Sequence, residues 1–359
     1  MGKSWLQDMI LDEARELVDD LTALKENPID PTEVITPCAN NVICGIAYGK
    51  RFSHQDARLR RLTELIGKNL TLTAKGQPVD FYPFLRHIPF TKFSTVLKEC
   101  TKNNEEIARF LQDLVDEHRK VFRPSADAPS DYIDAFLKQQ YTQRDDPTST
   151  FTDRQLIMSI HNLFAAGTET TSTSLCWAIL YLIENPKVLA NVQKEIDSVL
   201  GDRQFPVLED KEKLPYCQAT ITEVLRLGNL VPVAGRKTVE DVELSGFIVP
   251  KDTKIAPMIF SVHEDPVLFP EPMKFKPERF LDADGKFISK VEWLMPFGSG
   301  KRQCLGESLA RMELFLFFVT LARNFTLGPL LGGAETPGHT LMRIVNAPKP
   351  FRTSFIYRS

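Results

Sequence analysis

Phe297-Gly298-Ser299-Gly300-Lys301-Arg302-Gln303-Cys304-Leu305-Gly306 places one cysteine on a glycine-rich loop immediately before an apolar stretch. Glycines let backbone pass close to a flat cofactor and turn amides toward a sulfur, and the positive end of a following helix favours an anion. Arg302 adds a cationic side chain that shifts the balance from thiol to thiolate. The spacing of Leu309, Met312, Leu316 and Val319 predicts a helix from Glu307 to Arg323. A structural cysteine in a turn is the plainer reading of the same residues, and the rest of the chain has to decide between them.

The chain has 359 residues, 43% hydrophobic and 25% charged, enough for a large core in one big domain or two modest ones. We expect a single domain over 1–359, because no boundary is convincing. A net charge of -3, with no run of Lys and Arg, argues against nucleic acid as a partner. The six cysteines form no C-x-x-C pair and read as reduced thiols. Zinc is disfavoured, since the six histidines, from His54 to His339, make no ligand-spaced cluster with them. The N-terminus has no apolar run resembling a signal peptide or anchor, and Gly2 with Leu6 lacks the pattern for myristoylation. Leu156 to Ile183 carries Glu169 as its single formal charge, yet its polar residues predict a helix buried in protein rather than a bilayer span.

Periodicity predicts helix through most of the first 230 residues. Leu6, Met9, Ile10, Ala14, Leu17, Val18 and Leu21 mark one stripe, and Leu62, Leu65, Ile66 and Leu70 another. Pro28, Pro31 and Pro37 are read as breaking the pattern between them. A long helix is expected from Lys92 to Phe122, a central one ending at Asn185-Pro186, and others over Lys187–Leu200 and Leu214–Leu227. Val239 to Val249 alternates around Gly246 like a small hairpin. The fold class is mainly α with minor β.

Three further constellations carry chemistry. Ala166-Gly167-Thr168-Glu169-Thr170-Thr171 puts a glycine and β-branched residues inside the central helix, where we expect loosening. The Thr170 hydroxyl can bond back to the carbonyl near Ala166, opening a notch beside Gly167. Glu223 and Arg226 lie one helical turn apart; exposed, such a pair is worth about 0.2–0.5 kcal/mol. Pro277-Glu278-Arg279-Phe280 follows some fifty residues later, just upstream of the cysteine loop.

Together, F-x-x-G-x-R-x-C-x-G, A-G-x-E-T-T, E-x-x-R and P-E-R-F resemble the cytochrome P-450 superfamily, the haem-thiolate monooxygenases. Gly49-Lys50-Arg51-Phe52 and Ser261-Val262-His263-Glu264-Asp265-Pro266 look like its animal microsomal branch, often called family two. The resemblance implies haem b (iron protoporphyrin IX) with Cys304 as the metal ligand, cradled by Phe297, Gly298 and Gly306. It implies that Arg302 and Arg236 meet the propionates and that Glu169 and Thr170 are the catalytic pair delivering protons to bound oxygen. Ala166, with Phe164, Ala165 and Ala234, would line the distal pocket. Glu223, Arg226 and Arg279 would form a buried ion network. Function by resemblance is insertion of one oxygen atom into a fatty acid, steroid or xenobiotic. Electrons would come from NADPH through a cytochrome reductase, with a cytochrome b-type donor as an alternative partner.

Two elements of that branch are not found. No membrane helix, proline-rich hinge or β-rich subdomain precedes Trp5, and no tryptophan is followed four places on by arginine. We therefore expect a P-450 fold lacking its N-terminal anchor, β-rich subdomain and first helices, with weakened haem binding. A catalytically impaired haem-binding fragment is the alternative function. The branch implies the cytosolic face of the endoplasmic reticulum membrane. For this chain, the expected membrane contact is peripheral at most, through the aromatic stretch Phe81–Phe90, and a cytoplasmic location is compatible with the missing anchor.

Overall fold

The computed structural model describes residues 3–76, 78–124, 128–331, 340–341 and 345–358. Eleven α-helices appear among them: α1 (Lys3–Ala23), α2 (Thr32–Tyr48), α3 (Ala57–Gly76), α4 (Pro78–Phe81), α5 (Lys92–Val121), α6 (Tyr132–Thr142), α7 (Asp153–Glu184), α8 (Pro186–Leu200), α9 (Pro215–Gly228), α10 (Ile259–His263) and α11 (Glu307–Asn324). Four two-stranded antiparallel ribbons complete them, pairing β1 (Arg236–Lys237) with β4 (Lys254–Ile255), β2 (Val242–Leu244) with β3 (Phe247–Val249), β5 (Phe325–Leu327) with β8 (Phe355–Tyr357), and β6 (Thr340–Leu341) with β7 (Ala347–Pro348). Parts of the segment 328–350 lie outside the described residues.

The core is organised along α7. Thr152 caps its start by accepting from the Gln155 amide at 3.2 Å, and Pro186 prevents its continuation beyond Asn185. Its first half buries Leu156, Ile160 and Phe164 among residues of α2, α3, α5 and α6. Its second half, Leu175 to Leu182, is buried without interruption against α1, α8, α9 and α11. The second half, wrapped on all sides, needs no polar stripe, which is why this stretch could be nearly free of charge.

The same physics explains a misreading. Pro28 and Pro31 do lie in the break between α1 and α2, but Pro37 does not end helix: α2 runs through it and twelve of its seventeen residues are buried. Pro37 removes one backbone donor, yet burial of the surrounding residues, among them Ile35, Cys38, Val42 and Ile43, outweighs that loss. Without an amphipathic period, α2 was invisible to a search for stripes.

Candidate functional site

The cysteine loop is shaped by backbone rather than by burial. Gly298 and Gly300 have φ values of 72° and 71°, the left-handed region that side-chain-bearing residues avoid. A short 3₁₀ turn over Gly300–Arg302 follows, and the Cys304 amide donates to the Phe297 carbonyl at 2.9 Å, closing the loop on itself. Gly306 then opens α11, its carbonyl accepting from Ala310 at 2.9 Å. The first turn of α11 holds the loop from beneath: Glu307 accepts from Arg311 Nε at 2.8 Å and from Gln303 Nε2 at 2.6 Å, and the Arg311 guanidinium lies 4.9 Å from the Phe297 ring centroid.

Cys304 is the exposed cysteine of the six. Cys38, Cys44, Cys176 and Cys217 are buried, and burial pushes each thiol upward, Cys176 to about 12. Cys304 is therefore the cysteine whose sulfur an incoming ligand-bearing group can reach. Leu305 beside it is 95% exposed, and Val233 and Met258, joined by a backbone bridge, also present apolar surface. Arg302 is exposed and makes no ion pair among the described residues. Arg236, also exposed, spends one guanidinium hydrogen on the adjacent Gly235 carbonyl at 2.9 Å. An accessible thiol, apolar surface and two cations free to meet carboxylates are the donor chemistry a thiolate-bound haem requires, and the residues present fit it.

Three readings of α7 change. The helix continues as α-helix through Gly167 instead of loosening, and the Thr170 hydroxyl donates to the Ala166 carbonyl at 2.7 Å. Gly167 does not border a notch, because a Cβ there would come within 2.3 Å of Ile43 Cδ1; its missing side chain admits α2. Nor does Phe164 line an open pocket: it is fully buried, 5.6 Å from the Tyr48 ring. The accessible face carries Ala166, exposed, with Glu169 and Thr170 half-buried beside it.

Glu223 and Arg226 are both fully buried, joined by contacts of 2.7 and 2.8 Å. Arg279 Nε reaches the same carboxylate at 3.0 Å and spends its remaining donors on the carbonyls of Pro270, Glu271 and Lys274. Arg226 also donates to the carbonyls of His263 and Pro272, at 2.6 and 2.7 Å. His263 extends this network to the cysteine loop, a link that periodicity and spacing did not reveal. Its Nδ1 donates to Asn229 Oδ1 at 2.8 Å and its Nε2 accepts from the Met295 amide at 3.1 Å, while the Met295 carbonyl accepts from Gly298 at 2.9 Å. Burial first, and then the Arg226 charge, lower its pKa to about 4, so His263 is the neutral imidazole this bridge needs.

A second missed pair joins α7 to α11. Thr171 Oγ1 donates to Glu313 Oε2 at 2.9 Å, while Glu313 Oε1 is buried with no partner among the described residues. Burial, opposed by the Thr171 bond, raises the Glu313 pKa to about 8. Its folded pKa exceeds the unfolded value, so its stabilising contribution is complete below about pH 4.5 and is lost as pH rises through about 8. Glu313→Gln keeps an acceptor for Thr171 and removes the ionisable group. We expect it to raise the melting temperature at about pH 8 by several degrees and to leave it nearly unchanged at about pH 5, by thermal denaturation at both. Equal shifts at the two values would refute the buried neutral acid.

One further expectation is overturned. A histidine does cluster with a cysteine: Cys38 Sγ lies 3.9 Å from His54 Nε2, with Glu13 beside both. Elsewhere, the described helices include none long and apolar enough to cross a membrane.

The family model described as cytochrome P450 matches residues 2–355. Cytochrome P450 2B4 of Oryctolagus cuniculus is 39% identical over 100% of this chain and 72% of its own length. Cytochrome P450 2B9 of Mus musculus is 38% identical over 91% of this chain and 66% of its own length. Cytochrome P450 2D9 of Mus musculus is 36% identical over 100% and 70%. With the cysteine loop, the buried network behind it and this similarity over the whole sequence, the chain belongs to the cytochrome P450 family of haem-b-dependent oxygenases.

Proposed function

We propose that this chain is a monooxygenase that inserts one oxygen atom from O2 into a lipophilic substrate, a fatty acid, steroid or xenobiotic. NADPH supplies the electrons through a cytochrome reductase. The observation that carries the reading is the exposed Cys304 thiol on a loop tied, through Met295 and His263, to a fully buried ion network. Haem bound through Cys304 supplies the oxygen activation, because a thiolate ligand favours O–O cleavage.

The chain's own residues do the rest. The cations of Arg302 and Arg236 hold carboxylates, the glycines at 298 and 300 permit the loop's left-handed turns, and the Cys304 amide bond to Phe297 holds the loop closed. Thr170 donates its hydroxyl hydrogen to Ala166, which leaves the Oγ1 lone pairs to accept from a water. The Glu169 carboxyl, one residue earlier in α7, passes protons to that water from solvent. Phe81, Tyr82, Phe84 and Phe90 are 59–100% exposed, and this aromatic edge is suited to a membrane interface at the cytosolic face of the endoplasmic reticulum.

The test is turnover of a medium-chain fatty acid by haem-loaded protein with NADPH, reductase and 18O2. We expect a hydroxylated product carrying one labelled oxygen, and about 10²-fold less of it from Thr170→Val. Haem-loaded protein that consumes no NADPH, or makes only unlabelled product, would overturn the proposal in favour of a binding function.

A further inference from the structure

Glu13 of α1, Cys38 of α2 and His54 of the connection after α2 bring a carboxylate, a thiol and an imidazole together from three separate segments. Their ligand atoms all lie within 4.8 Å of one another. His54 Nε2 is 3.0 Å from Glu13 Oε2 and 3.9 Å from Cys38 Sγ. Metal–ligand lengths of about 2.0–2.3 Å give tetrahedral edges of about 3.3–3.6 Å, close to both contacts made by His54 Nε2, and a central ion would draw Glu13 and Cys38 together to close the third edge. All three side chains are buried: Glu13 and Cys38 completely, His54 at 7% exposure.

We propose that Glu13, Cys38 and His54 bind one zinc ion, oriented by Asp20. Asp20 Oδ2 lies 2.8 Å from His54 Nδ1, the carboxylate–histidine contact that fixes the ring and makes the other nitrogen a better ligand. Arg51 engages the other oxygen of Glu13, Oε1, while Oε2 accepts from Asn41 Nδ2 at 3.3 Å and takes the metal in place of its contact with His54. The mixed sulfur, nitrogen and oxygen set suits zinc and excludes magnesium or calcium, which take oxygen alone.

His54 and Asp20 line a cleft of about 1080 Å³ bordered by α2 and α3, which gives an ion access to the imidazole edge of the cluster, and a water takes the fourth coordination position. Bound there, zinc clamps α1, α2 and the connection between α2 and α3.

The experiment titrates the purified full chain with cobalt(II), then zinc(II), at about pH 8. We expect one cobalt per chain, with a thiolate-to-cobalt charge-transfer band in the near ultraviolet and displacement by zinc. The band survives Cys304→Ser, disappears in Cys38→Ser, and zinc binds Asp20→Asn about 10–100-fold more weakly. Absence of the band, its loss in Cys304→Ser, or its persistence in folded Cys38→Ser would overturn the site. Should circular dichroism show that Cys38→Ser does not fold, X-ray absorption on zinc-loaded Cys304→Ser protein decides. One sulfur at about 2.3 Å beside nitrogen and oxygen supports the assignment, and a shell of nitrogen and oxygen alone contradicts it.

Discussion

Glu223→Gln is expected to cost about 3–5 kcal/mol of folding stability, because it strands two buried guanidinium groups whose single shared counter-charge it removes. Arg226 has no exposure at all, and Arg279 is 8% exposed, so solvent cannot take the place of the lost carboxylate. The glutamine oxygen can accept only part of what the carboxylate accepts now, from Arg226 Nε and Nη2, Arg279 Nε and the Lys276 amide. Urea denaturation of the haem-free protein measures the loss. The comparison is Glu307→Gln, which breaks a more exposed helical pair with Arg311 and should cost about 0.2–0.5 kcal/mol. Similar costs for the two would mean that the network stabilises nothing beyond an ordinary surface pair. The lesion should also reach the cysteine loop, since His263 receives Arg226 on its carbonyl and holds the Met295 amide on its ring.

Cys304→Ser is expected to abolish thiolate ligation outright. Serine keeps the loop, whose geometry rests on Gly298, Gly300 and the Cys304 backbone amide rather than on the sulfur, but a hydroxyl cannot supply a soft anionic ligand. No other cysteine replaces it: Cys38, Cys44, Cys176 and Cys217 are buried with their thiols pushed upward, and Cys100 is raised by burial too.

What could be read from the sequence follows the range of the physics involved. The cysteine loop and the one-turn pair Glu223 and Arg226 are local patterns. Their partner Arg279 was reached across some fifty residues only because P-E-R-F resembles a known element. Helix α7 was legible from its length and lack of charge, but the direction in which Gly167 and Phe164 point depends on α2, and α2 was not seen. Its burial on nearly every side left no period to detect. The pairs Thr171–Glu313 and Cys38–His54 were missed for a related reason. Each is made by packing, one between two helices 142 residues apart and the other between a helix and the chain that leaves it. His263 stood in a phrase quoted for resemblance, yet its role as a neutral bridge depends on a charge and an amide brought to it by the fold.

The central claim is that Cys304 binds the haem iron as a thiolate. Its most direct test is the absorption spectrum of the reduced, haem-loaded protein under carbon monoxide, recorded for the unaltered chain and for Cys304→Ser. The expected result is a strongly red-shifted Soret band in the first and its absence in the second. The same red-shifted band in both would contradict the assignment of the ligand, and with it the function built upon that sulfur.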